Sequence, residues 1–103
     1  MIADLVRGVA GSAITVESLM GQGVDPHLYK ASEGDLSKLS RAAIIFYNGL
    51  HLEGRMGHIF EKLSHQRPVV AIADGIEKRS LRAPPEFAGN YDPHIWFDVH
   101  LWQ

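Results

Sequence analysis

Segments patterned as strands and as helices alternate along this chain, and that alternation predicts an α/β fold: a mainly parallel sheet flanked by helices. Two stretches carry the prediction. Ala43-Ile44-Ile45-Phe46-Tyr47 is apolar without a break, as a strand covered on both faces requires, and Asn48-Gly49 stops it. Val69-Val70-Ala71-Ile72-Ala73 repeats the pattern after a helix-patterned segment and is closed by Asp74-Gly75.

The remaining elements follow in chain order. Ile2, Leu5, Val6 and Val9 fall on one helical stripe, with Gly11-Ser12 as the stop. Residues 13 to 20 are rich in β-branched types, and Ile14, Val16 and Met20 alternate, which predicts a strand. Gly21-Gln22-Gly23 then releases the chain into a loop carrying Asp25-Pro26-His27. Ser32 followed by Asp35 matches a capping box, and Leu36, Leu39 and Ala42 supply an apolar face, predicting a helix from Glu33 to Arg41. Leu52, Met56, Ile59, Phe60 and Leu63 mark a stronger helix that His65-Gln66-Arg67-Pro68 ends. Residues 76 to 91, with Pro84-Pro85, read as a long surface loop. The tail from Asp92 to Gln103 is apolar enough to pack on something, with core packing favoured for Trp96, Phe97 and Trp102.

Composition narrows the function. With 103 residues the chain has enough surface to bury for a single modest core. It has no cysteine, so disulfides and thiolate metal sites are excluded, and its formal charge of −2 offers no basic face for nucleic acid or an anionic membrane. The first nine residues lack the basic head and the apolar run of a secretory signal or membrane span, which does not place the protein in the cytoplasm. Six histidines stand out and favour metals that prefer neutral imidazole.

Asp-Pro-His occurs twice, at residues 25–27 and 92–94. Proline fixes its own φ and pushes the preceding residue toward extended geometry, so each histidine is held in a defined direction. The neighbouring aspartate is placed to accept a ring N–H, the arrangement that orients a metal-binding imidazole; Asp-Pro also begins ordinary turns. His27 and His51 lie beyond the carboxyl ends of predicted strands, the edge where parallel sheets bind ligands. His27, His51 and His94, from three loops, would form a three-nitrogen set that suits zinc (Zn2+) and leaves a fourth position open. Taken alone, His51 reads equally well as a helix-start histidine donating to a carbonyl.

Other candidates are weaker. His51, His58 and His65 recur every seven residues, but seven residues span about 10 Å of helix, too far for neighbours to share an ion, so His58 and His65 belong to the solvated surface. His100 is ambiguous. Glu53 and Asp98 follow candidate ligands at short range and would fill the fourth position or act as a base. No phosphate loop, acyl-transfer triad or paired catalytic carboxylates are present.

Three segments together, Val24-Asp25-Pro26-His27-Leu28-Tyr29, Tyr47-Asn48-Gly49-Leu50-His51-Leu52-Glu53 and Asp92-Pro93-His94-Ile95-Trp96-Phe97-Asp98, resemble successive signatures of the zinc- and manganese-binding solute-binding proteins of ABC transporters. The resemblance runs from Met1 to Gln103. It implies that His27, His51 and His94 are metal ligands, and that the protein is not an enzyme but captures a divalent metal ion outside the cytoplasmic membrane and delivers it to an ABC transporter permease. It implies zinc or, alternatively, manganese (Mn2+) as the ion; three imidazoles favour zinc.

Family members have two lobes with metal between them, and a carboxylate of the second lobe completes the site. This chain resembles one incomplete amino-terminal metal-binding lobe, residues 1–103, with its first strand missing. That strand would lie beside residues 13–20, and its absence leaves unpaired strand edges that favour a homo-oligomer. The competing functional reading is a zinc-dependent hydrolase or hydratase with the same three-histidine site, using Glu53 or Asp98 as general base.

Overall fold

A computed structural model of the chain describes residues 1–102, apart from the side chain of Trp102. The predicted packing of Trp102 therefore lies outside the described residues, as does Gln103.

Three helices and two strands organise the described residues: α1 (Ile2–Ala10), α2 (Glu33–Arg41), β1 (Ile45–Tyr47), α3 (Gly57–Ser64) and β2 (Val69–Ala71). The strands pair in parallel, Ile45 opposite Val69, Phe46 opposite Val70 and Tyr47 opposite Ala71. Parallel pairing requires a long crossover, which α3 supplies together with the 3-10 turn Gly54–Met56 that precedes it. Ile45, Leu39, Met56 and Phe60 form the buried core, with Tyr47, Val69, Ile59 and Leu63 packed against it. The Tyr47 and Phe60 rings lie 4.5 Å apart, centre to centre.

Helix α2 begins and ends where its residues dictate. Ser32 Oγ accepts the Asp35 N–H at 3.2 Å while Asp35 accepts the Ser32 N–H at 2.9 Å, completing the capping box. Bonds from Ser32 and then from the Tyr29 hydroxyl hold the Asp35 carboxyl down at about 2. At the other end Arg67 donates to the carbonyls of Leu39, Ser40 and Ala42, satisfying acceptors that the helix leaves open.

The structure corrects several expectations. Residues 13–20 are not a strand. A ladder needs a neighbour, and among the described residues the sheet has only β1 and β2. The segment is met by side chains instead: Arg7 donates to the Val16 carbonyl and the Ser18 hydroxyl to that of Met20. Leu19 and Met20 turn onto the core while Ile14 stays exposed.

The two predicted strands shorten to three residues each, and Ile72–Gly75 tightens into a 3-10 turn. The sheet is also not covered on both faces. Side chains alternate across a strand, so Ile45 and Tyr47 meet the core while Phe46 and Val70 point the other way and remain exposed. Helix α1 forms as expected but has no buried residue.

The predicted loop 76–91 is irregular apart from 3-10 turns at Lys78–Ser80 and Pro85–Phe87. In the tail Ile95 is buried, but Phe97 is 80% exposed, so core packing fails for that ring. The tail turns in short 3-10 steps at Ile95–Phe97 and Val99–Trp102, and these put Phe97 on the outside. No described helix is long and apolar enough to cross a membrane.

Candidate metal centre

Each Asp-Pro-His segment folds into the same small turn. Asp25 Oδ1 accepts both the backbone N–H of His27, at 2.9 Å, and its ring at Nδ1, at 3.0 Å. Asp92 Oδ1 does the same for His94, at 3.0 and 2.7 Å. An ionised carboxylate only accepts, so Nδ1 of each ring carries the proton and Nε2 keeps its lone pair. The backbone N–H of the histidine, then its ring, holds the Asp25 carboxyl below the ordinary carboxylate range. Asp92 is lowered in the same way, first by the His94 backbone N–H.

The two turns meet. The ring centres of His27 and His94 lie 5.8 Å apart. A zinc-bound nitrogen sits about 2.0–2.1 Å from the ion with the ring centre roughly 1 Å beyond, so two rings on one ion have centres about 5 to 6 Å apart. The separation of this pair falls within that range. Trp96 lies edge-on to the His94 ring and Phe97 stacks on it, at 5.2 and 6.4 Å.

His51 sits differently. It is exposed, on the loop after β1, and shares a hollow with His27, Leu50, Tyr91 and Pro93. Gly49, Leu50 and His51 all have positive φ, at 87°, 52° and 64°. Glycine is needed at the first for a further reason: a Cβ there would meet the Ala71 Cβ at 3.0 Å. Among the described residues no three histidine, aspartate or glutamate side chains converge as one metal-holding group. The structure brings His27 and His94 together and leaves His51 beside them.

Glu53, expected as a fourth ligand or a general base, is instead turned to the backbone. It is buried, and its carboxylate oxygens accept the N–H groups of Asn48, at 2.7 Å, and Gly49, at 3.2 Å. Asp98 accepts the N–H of His100 and so shapes the tail. His58, His65 and His100 are exposed. Asn48 was legible in the sequence only as the end of a strand, yet it is 1% exposed and its side-chain amide donates to the carbonyls of Gly49, at 3.1 Å, and Pro93, at 3.0 Å. The signal that could have found it is the presence of Asn48 and Glu53 five residues apart in one motif.

Known proteins resemble this chain along its whole length. The family model described as zinc-uptake complex component A, periplasmic (ZnuA), matches residues 1–103. The zinc-binding protein TroA of Treponema pallidum is 51% identical over 102 residues, which make up 99% of this chain and 32% of that protein. The manganese-binding lipoprotein MntA of Bacillus subtilis is 46% identical over 101 residues, 98% of this chain and 33% of that protein. The chain thus spans about a third of the curated relatives it matches.

Among solved structures, periplasmic TroA superposes with a TM-score of 0.92 at 48% identity, covering 99% of this chain and 36% of that one. The manganese-bound periplasmic protein of Candidatus Liberibacter asiaticus superposes with a TM-score of 0.83 at 29% identity, covering 98% of this chain and 37% of that one. These relatives carry the names of metal-binding proteins, and others such as SsaB of Streptococcus sanguinis that of a metal ABC transporter substrate-binding lipoprotein, not of enzymes. With the fold, the paired Asp-Pro-His turns and the match along its whole length, the chain belongs to the ZnuA family and corresponds to a lobe of its two-lobed metal-binding proteins.

Proposed function

We infer that this chain captures a divalent transition metal ion as cargo, as part of a solute-binding protein that hands the ion to an ABC transporter permease outside the cytoplasmic membrane. The carrying observation is the 5.8 Å approach of His27 and His94, each with Nδ1 tied to a carboxylate. His51 is proposed as the third ligand, offered from the loop after β1. Relatives are named for zinc, manganese and iron. Zinc is the proposed ion here because the donors are imidazoles, whereas manganese favours carboxylate oxygen.

Calorimetric titration of the chain with zinc and with manganese tests the reading. Zinc should bind more tightly, and His27→Ala or His94→Ala should remove most of the affinity; unchanged zinc binding in both variants would overturn the site. His51→Ala, measured alongside, decides the third ligand. With β1 and β2 the only strands among the described residues, each keeps one unpaired edge, and this supports a further part of the proposal, association of two chains through those edges. A monodisperse monomer in light scattering at micromolar concentration would remove that part.

A further inference from the structure

The His94 turn is fastened to the sheet by residues that touch no proposed ligand atom. Asn48 sits at the end of β1 with nearly every backbone and amide group engaged. Its N–H goes to Glu53, its carbonyl accepts the Ala73 N–H at 3.0 Å, and its amide donates to the Pro93 carbonyl, one residue before His94. On the other side of the turn the Asp92 N–H donates to the Arg82 carbonyl at 2.7 Å. Glu53 is buried, and its carboxylate fixes the backbone from which the Asn48 amide projects. A buried polar group with so many partners holds one geometry, because each lost bond would leave a donor or acceptor unsatisfied.

We propose that Asn48, aligned by Glu53, is a positioning residue for metal capture: it holds the Asp92-Pro93-His94 turn by the Pro93 carbonyl, so that His94 faces His27 before the ion arrives. The proposal rests on His94 being a ligand. Partners that orient a ligand from outside the coordination sphere typically change metal affinity by about 10- to 100-fold when removed.

A mutant cycle on the 103-residue chain, titrated with zinc ion against a chromophoric chelator, provides the test. Asn48→Ala should weaken zinc about 10- to 100-fold in the wild-type and His27→Ala backgrounds and leave the residual affinity of His94→Ala unchanged. A general loss of packing would instead lower all three. Glu53→Gln keeps the side-chain volume and one acceptor oxygen, and should move affinity in the same direction by less; circular dichroism confirms that each variant is folded, and this variant carries the test if Asn48→Ala does not fold. Equal losses in the His94→Ala background, or no loss in any folded variant, would overturn the positioning role. Zinc binding unaffected by His94→Ala itself would remove the site and this role together, which distinguishes the two failures.

Discussion

The two Asp-Pro-His turns have the same sequence and the same internal bonds, but the fold treats them differently. Around His94 the turn is partly buried, with side-chain exposures of 35% for His94 and 22% for Asp92, and the backbone is tied to Arg82 and Asn48. Around His27 the corresponding exposures are 45% and 54%, and among the described residues the hydrogen bonds of Asp25 and His27 stay within residues 25–28. The local motif therefore fixes which ring nitrogen is free, while only long-range contacts fix where the ring stands. One turn is an anchored arm and the other an adjustable one, a division suited to closing on an ion without a large ordering cost for both arms.

The largest expected effect treats both arms alike. Zinc bound at pH 7.5 should be released by pH 5, because ligation requires neutral rings. The lowered carboxyls of Asp25 and Asp92 contribute what they hold above the ordinary carboxylate range and lose it only as pH falls through their depressed values, so both turns keep their shape over this range. Chelator competition across this range checks it, and zinc retained at pH 5 would mean that the imidazoles are not the ligands.

Ligand removal comes next. His94→Ala should weaken zinc by at least about a hundredfold, beyond the range of an outer partner, and His27→Ala should do so too but by less, since the adjustable arm is replaced more readily by water. Calorimetry that ranks His27→Ala above His94→Ala would reverse the assignment of the arms.

Smaller still are the carboxylate partners. Asp92→Asn should cost about tenfold in zinc affinity and Asp25→Asn less, because exposure at Asp25 lets water take over the ring N–H. The smallest effect is expected at Gly54, whose added Cβ would meet the His27 carbonyl oxygen at 3.5 Å, an ordinary contact. Gly54→Ala should leave zinc affinity within about twofold and melting temperature nearly unchanged, a surface change of modest size; a clear loss of affinity would show that the His27 turn leans on this neighbour.

Much of this was legible in the residues. The capping box placed α2 between Glu33 and Arg41, and the stripe Ile2, Leu5, Val6, Val9 placed α1, because both signals are local. Repetition of Asp-Pro-His exposed the two arms, since proline and aspartate act within three residues. What escaped was set by distant partners. Residues 13–20 have strand composition but, among the described residues, no strand to pair with, and the burial of Glu53 depends on where the Asn48 and Gly49 N–H groups point. Phe97 has the composition of a core residue, and only the turns of the tail decide that it faces outward.

The left-handed run Gly49-Leu50-His51 has a further consequence. For residues with a Cβ that conformation is a small basin cut off from the broad allowed regions by steric clash. Carrying His51 out of that basin therefore means crossing a steric barrier, not drifting gradually along its own φ. Should this imidazole take part in holding cargo, it will behave as a latch with two settings and not as a dial.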